Sequence, residues 1–220
     1  MHEELEAMVH RLNDIHEIGN LVGKLEFLFT ANMFSAIVEL FAKTVPQKIE
    51  IGPLGVWDGI DAAYRCYHGF HNWTSKIGVP VEGQMMQHML ATPIIEMAKD
   101  GRTAKGVWMS PGHEIRVVGG KLTAFWLWGT YGDDFIKENG AWRIRNQHVY
   151  LNIFTPFNVP WTVPFAGDVN DIFPPGLPDE WKPNRPSTYL WMYSPSAVTE
   201  LVPVPPEPHD TYDPATDYVQ

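Results

Sequence analysis

A single cysteine, Cys66, is all the thiol chemistry this 220-residue chain carries. One thiol closes no internal disulfide, so the fold has to hold by packing alone, as proteins of a reducing compartment do. Basic residues are scarce too: 16 Lys and Arg against 26 Asp and Glu leave a formal net charge of −10. With those cations scattered rather than gathered into a stripe, the chain is not expected to bind nucleic acid. No stretch approaches the ~20 apolar residues of a membrane span. The opening Met1-His2-Glu3-Glu4-Leu5-Glu6 is acidic where a secretory leader is basic. A cytoplasmic protein without membrane contact is the expectation.

Chemical signatures are missing as well. No glycine-rich phosphate loop opens a helix, since Gly112, Gly119 and Gly120 punctuate apparent strands, and no serine sits in a nucleophile elbow. His68 and His71 are one helical turn apart, but no third ligand follows at a recognisable spacing. They read as solvated helix residues rather than as a metal pair. What the chain does have is apolar mass: 45% hydrophobic and 13% aromatic residues, nine of them Trp. That is enough for a sizeable core in one domain with a long appendage.

Proline is absent before Pro46, and the segment 3–43 is rich in helix formers. Leu5, Met8, Val9 and Leu12, then Ile18, Leu21, Val22, Leu25 and Leu28, recur at helical spacing. Two or three helices are expected, with breaks at Gly19 or Asn32, and Ser35–Phe41 packs deep. Lys48–Ile51 alternates as a short strand. Gly55–Gly59 reads as a turn into a helix capped by Asp58, carrying Ile60, Ala63, Tyr64 and Tyr67 on one side. From residue 83 the pattern is β: Gln84–Ala98 divided or bulged at Pro93, a turn at Asp100-Gly101, Thr103–Ser110, then His113–Val118 after Pro111-Gly112. Lys121–Tyr131 and Ala141–Ile153 follow, the latter after a turn at Asn139-Gly140. Helices followed by an antiparallel meander make an α+β domain over 1–154. Residues 155–220 hold 14 of the 19 prolines, yet also Trp161, Phe165, Phe173, Trp181, Tyr189, Trp191 and Tyr193. So many rings suit an extended arm laid over the domain or a neighbouring subunit, its last dozen residues a candidate for disorder.

His88 is the most informative residue. It sits mid-strand among apolar neighbours, sharing a face with Met86 and Leu90. A partly desolvated imidazole there titrates near neutrality and suits a general base; a core histidine bonded to backbone is the other reading. His113 lies as far beyond the Asp100-Gly101 turn as His88 lies before it, which would bring the two together if the hairpin runs without interruption. As a loop residue after Pro111-Gly112, it would not be brought there. Trp142, Ile144, Asn146, His148, Tyr150 and Asn152 alternate along one strand, turning from apolar to polar. That gradient fits a strand closing a core at one end and lining a pocket at the other, or one emerging into solvent.

Several motifs together resemble a known family. They are Gly55-Val56-Trp57-Asp58-Gly59, Gln87-His88-Met89-Leu90, Gly129-Thr130-Tyr131-Gly132-Asp133 and Asn139-Gly140-Ala141-Trp142-Arg143-Ile144. In order and spacing, over residues 5–153, they resemble SnoaL-like proteins of the nuclear-transport-factor-2 superfamily, most of all the scytalone dehydratase and bile-acid dehydratase branch. The resemblance implies a cone-shaped curved sheet with helices packed on it, an α+β barrel, and a homo-oligomer, trimer or dimer. It assigns catalytic roles to His88 and His113. The family's strand amide falls at Tyr131; its helix Tyr and Asp fall near Phe29 and Thr30, leaving Glu26 the nearest carboxylate. Trp108, Tyr64, His148, Tyr150 and Asn152 complete the expected pocket.

The implied activity is a cofactor-independent acid–base lyase acting on a hydroxylated aromatic or polycyclic small molecule, by loss of water or by retro-aldol loss of formaldehyde. Two other classes stay open: an isomerase or cyclase on the same fold, and a non-catalytic binding or assembly module. An enclosed interior with a second polar group beside His88 separates the enzymes from the module.

Overall fold

The computed structural model describes residues 2–76, 82–118, 121–163, 176–190 and 192–220. The expected Gly119-Gly120 break and the tail residues Phe165, Phe173 and Trp191 lie outside these.

Helix α1 runs unbroken from His2 to Thr30. Gly19 does not interrupt it; the chain turns only at Asn32, whose φ of 56° a short polar side chain tolerates. Its buried stripe is Asp14, Ile18, Val22, Leu25, Glu26 and Phe29, whereas Leu5, Met8, Val9 and Leu12 face outward. The Asp14 carboxylate is satisfied by Lys137 Nζ at 2.6 Å and Trp142 Nε1 at 2.9 Å. A short α2, Phe34–Ile37, and one 3-10 turn place Phe34, Ile37, Leu40 and Phe41 in the core, as their apolar run suggests.

Strand β1, Gln47–Ile51, hairpins into β2, Gly55–Gly59. The expected turn into a capped helix is therefore a strand: Val56 and Trp57 are wholly buried, and pairing with β1 outweighs any capping by Asp58. The next helix is π-wound over Tyr64–His71 and passes into α3, Asn72–Lys76. It buries Cys66, Tyr67 and Phe70. Of the residues expected on its inner side Ala63 and Tyr67 are buried, but Tyr64 is exposed, as is Ile60, which lies in the turn before the helix.

The sheet is completed by β3 (Met85–His88), β4 (Ala91–Met97), β5 (Thr103–Val118), β6 (Lys121–Glu138) and β7 (Ala141–Pro156). Its order is β2-β1-β7-β6-β5-β3, with β4 also on β5. Among the named strands every described pairing is antiparallel except β1 with β7, so the sheet is mixed rather than a pure meander. Pro111-Gly112 does not divide β5. The long strands curve round the helices and the sheet stays open, its concave face carrying the core.

Two irregularities set which residues face the concavity. Near the Asp100-Gly101 turn β4 opposes β5 as Met97↔Ala104 and Ile94↔Val107, but beyond Thr92-Pro93 the pairing slips by one, to Ala91↔Met109 and His88↔Gly112. Thr92 takes the left-handed φ of 48°, strained for a β-branched residue and the mark of a bulge. A second slip falls at Arg145, between Asp134↔Asn146 and Phe135↔Ile144.

The described part of the tail packs on the chain itself, with Leu177 in the core and Trp181 against it, before Thr188 and Thr216–Val219 reach the convex face. Trp57 Nε1 donates to the Trp181 carbonyl at 2.9 Å, and Val56 bridges to Arg185. The wholly buried Glu50 accepts from Thr188 N and Oγ1, both at 2.6 Å. Lys48 Nζ meets Asp217 at 3.1 Å, and Lys105, bonded to Asp134, also reaches the Thr216 carbonyl at 2.7 Å. The final dozen residues, a candidate for disorder as a chain terminus, are thus docked, with Val219 fully buried. Charged bonds and one apolar anchor outweigh their lack of regular structure.

Candidate active site

Side chains alternate along a strand, so each slip of one residue exchanges its faces. On β4 the inward residues are Ile95 and Met97, packed in or against the core. After the Thr92-Pro93 bulge they are Met86 and His88, while Gln87 and Met89 are exposed. His88 is thereby turned into the cone, 9% exposed, its ring 5.2 Å from that of Phe29 on α1. The same slip sets Gln87, not His88, opposite His113. His113 consequently lies on the opposite face of β5 from Trp108, Ser110 and Glu114, and equidistance from the turn misleads by that one residue.

Glu114 takes the place expected of His113. One carboxylate oxygen meets His88 Nε2 at 3.2 Å, and the other is bonded to Arg116 Nε. Burial opposes ionisation of Glu114, but Arg116 and His88 together bring its carboxyl down to about 2. Burial likewise opposes charging of His88, yet Glu114, with Glu26 behind it, raises that imidazole above its ordinary value. A carboxylate on Nε2 fixes the tautomer and leaves Nδ1 as the ring's accepting atom.

Glu26 faces His88 from α1. Burial raises its carboxyl to about 7, with His88 and Tyr131 acting in the opposite sense, and neither oxygen has a geometrically sound hydrogen bond among the described residues. Tyr131, opposite Trp108 across β5 and β6, is buried, which holds its hydroxyl protonated well above the usual phenol range. Asp133, two residues on and on the same face, is fully buried; desolvation, with Asp134 and Glu26 adding to it, raises its carboxyl well above the usual range. Gln147 opposes Asp133 and accepts from the Tyr67 hydroxyl. His71 packs between Phe29 and Phe34, its Nε2 unpartnered; burial above all, with Arg116 adding, lowers it to about 3. The solvated reading of His71 fails because the π-helix turns it inward, whereas His68 stays at the surface, bonded to Ser35 at 2.9 Å.

The structure therefore gathers Glu26, Phe29, His88, Trp108 and Tyr131 of the anticipated residues. It leaves the others elsewhere. Tyr64 is 45% exposed, stacked on His68. His148 and Tyr150 belong to the convex face: the slip at Arg145 separates them from Trp142 and Ile144, and both bond the Tyr218 carbonyl of the tail, at 2.7 and 2.9 Å. Asn152 falls at a further slip, between Gly129↔Leu151 and Trp128↔Ile153. The residues the sequence reading missed are Ser110, Glu114, Arg116, Tyr67, His71, Asp133 and Gln147. Asp133 was within reach, two positions after Tyr131 on an alternating strand; Glu114 was hidden by the bulge.

Ser110 Oγ, Glu26, Asp133, Gln147 Nε2 and His71 Nε2 are all buried without a sound partner. Interiors seldom tolerate such a set unless water or a ligand completes it. Two surface depressions, of about 400 and 480 Å³, lie elsewhere, at Arg102–Asn139 and at Trp126–Thr162. Among the described residues no three His, Cys, Asp or Glu side chains converge as a metal site, and no helix is long and apolar enough to cross a membrane.

An open curved sheet wrapped round N-terminal helices, with titratable groups on its concave side, is the architecture of NTF2-like proteins, and solved structures agree. LinA superposes with a TM-score of 0.57 at 14% identity, over 73% of this chain and 98% of that one. A protein provisionally named scytalone dehydratase from Novosphingobium aromaticivorans gives 0.54 at 15%, over 70% and 93%. An NTF2-like protein with a cystatin-like fold from the same organism gives 0.50 at 20%, over 67% and 87%. At these identities the likeness is one of fold alone. No curated protein matches. The family model described as SnoaL-like domain matches residues 10–148, and the chain belongs to that family.

Proposed function

We propose that the concave site is a cofactor-independent acid–base lyase centre for a hydroxylated aromatic or polycyclic small molecule. One observation carries the reading: His88, oriented by Glu114, faces a second titratable group, Glu26, raised to about 7. Two groups that exchange a proton near neutrality, in a buried apolar setting, are what elimination requires. In loss of water, His88 Nδ1 takes the proton from carbon. The electron pair forms the new double bond, and the leaving hydroxyl departs as water with the proton of Glu26. In retro-aldol cleavage the same nitrogen takes a hydroxyl proton, the C–C bond breaks to release formaldehyde, and Glu26 protonates the carbanion left behind. In this reading Tyr131 holds the oxygen on which charge develops. Solved neighbours named hexachlorocyclohexane dehydrochlorinase and, provisionally, scytalone dehydratase carry names of eliminations, in keeping with this chemistry.

Hydroxylated aromatic and steroid-like compounds screened for thermal stabilisation are expected to yield binders, and these to yield dehydrated or deformylated products by mass spectrometry. His88→Gln is expected to lower kcat by about 10²- to 10⁴-fold with the fold retained. Full turnover in folded His88→Gln would remove the assignment. A non-catalytic module is favoured by the position of the two depressions away from His88; ligand binding that leaves every compound chemically unchanged would select it. The reading includes a homo-oligomer, trimer ahead of dimer, checked by light scattering.

A further inference from the structure

Arg116 has a property the acid–base reading leaves unused. Its Nε is engaged by Glu114, but among the described residues no acceptor is bonded to Nη1 or Nη2. The side chain is 40% exposed, unlike Glu114 beside it, so its outer edge reaches solvent while its inner edge is held. It stands on the same face of β5 as Glu114, opposite Thr123 of β6, with its guanidinium 5.6 Å from the centre of the Phe154 ring. Phe154 in turn stacks on Phe125 at 5.0 Å. A planar fork, fixed at one end and set among aromatic side chains, is suited to a carboxylate attached to an aromatic ring: two parallel N–H···O bonds hold the anion while the ring lies in an apolar neighbourhood.

The charge balance favours the same ligand. The protein carries −10 overall, so a free anion is not drawn in by its general field. On the concave face, however, Arg116 spends only Nε on Glu114, and among the described residues Nη1 and Nη2 are left for an incoming anion. Lys48 and Lys105 are spent on Asp217 and Asp134 of the convex side. An arginine engaged only as a support for Glu114 would need no open fork, and a lysine would serve.

We propose that Arg116 is the anion-recognising residue of this site and that its ligands are aromatic carboxylates. This rests on the reading of the cone as a small-molecule site, not on the elimination step. The experiment compares 4-hydroxybenzoate with 4-hydroxybenzyl alcohol, which share ring and phenol, by calorimetric titration of the full chain. Wild-type protein is expected to bind the carboxylate about tenfold or more tightly than the alcohol. Arg116→Gln is expected to bring that ratio close to one. Arg116→Lys, which keeps a cation beside Glu114 and so protects the fold, is expected to lower it about threefold or more by loss of the fork. His88→Gln is expected to keep the wild-type ratio, so a failed elimination reading leaves this proposal standing and separable. Equal affinity for the two probes, no measurable binding of either, or an unchanged ratio in both Arg116 variants would overturn it.

Discussion

Two buried groups respond to acid in opposite directions. His71 is lowered to about 3 in the folded protein against an ordinary 6.5, so the unfolded chain binds a proton that the folded one refuses. Its contribution is complete above pH 6.5 and is lost as pH falls toward about 3, at ~1.4 kcal/mol per unit. Chemical denaturation of His71→Leu across pH 7 to 4 should show a flatter profile than wild type. Glu26 has the reverse sign. Raised to about 7 from 4.5, it keeps a proton that the unfolded chain has released. Stability from it is present below 4.5 and lost as pH rises through about 7. Glu26→Gln should therefore melt higher than wild type at pH 8, by an amount on the order of 1–3 kcal/mol, while kcat/KM falls about 10²- to 10⁴-fold. Wild-type kcat/KM should be bell-shaped, rising as His88 deprotonates above 6.5 and declining as Glu26 deprotonates near 7; in Glu26→Gln the alkaline limb should disappear. An alkaline limb that survives the substitution would assign the acid to another group.

At the scale of the strand, one inserted residue decides the chemistry. Continued from Met97↔Ala104, the hairpin would oppose His88 to His113 and leave both on the convex side. The bulge at Thr92-Pro93 reverses that and brings Glu114 to His88 in place of His113. Deletion of Pro93 should restore the unbroken register. The expected result is a folded protein, with the circular dichroism of the parent, whose activity is at least about 10²-fold lower; undiminished turnover would show that the register does not orient His88. The same device explains what was legible in the sequence. Alternation and Asn-Gly or Asp-Gly turns located the strands, and β5, β6 and β7 begin where those signals put them, although β5 runs on through Pro111-Gly112 and β6 continues past Tyr131 to Glu138. Within an unbroken run, parity also held: Tyr131 and Trp108 do share a face. A bulge has no reliable signal in a single chain, so parity was lost across it at both Thr92 and Arg145, moving His113, His148 and Tyr150 out of the expected pocket. Gly55–Gly59 misled differently, since a glycine-flanked pentapeptide resembles a turn until its long-range partner, β1, is known.

Taken whole, the molecule has two polar interiors separated by one sheet. The concave one holds the titratable groups of the proposed chemistry. The convex one, around Glu50, His148 and Asp134, is closed by the tail. Composition suggests an arm too rich in rings to be free but gives no path for it, because irregular segments leave no periodicity to read. Two of its rings are seated on glycines. A Cβ on Gly132 would lie 2.7 Å from Tyr218, and one on Gly69 would lie 2.1 Å from Trp181. Gly69→Ala should displace Trp181 and lower stability by about 1–3 kcal/mol, measurable as a reduced melting temperature; an unchanged one would mean that the indole is not seated there.

Gly69 belongs to the same π-wound segment as Tyr67, Phe70 and His71, the near wall of the concave site, while the Trp181 carbonyl is clamped by Trp57 of β2. One residue of the tail thus splints a helix to a strand from behind. Slackening at the back of the molecule would be felt first as faster amide exchange along 64–71, and the aromatic lining at the front would lose its fixed tilt before the sheet itself gave way.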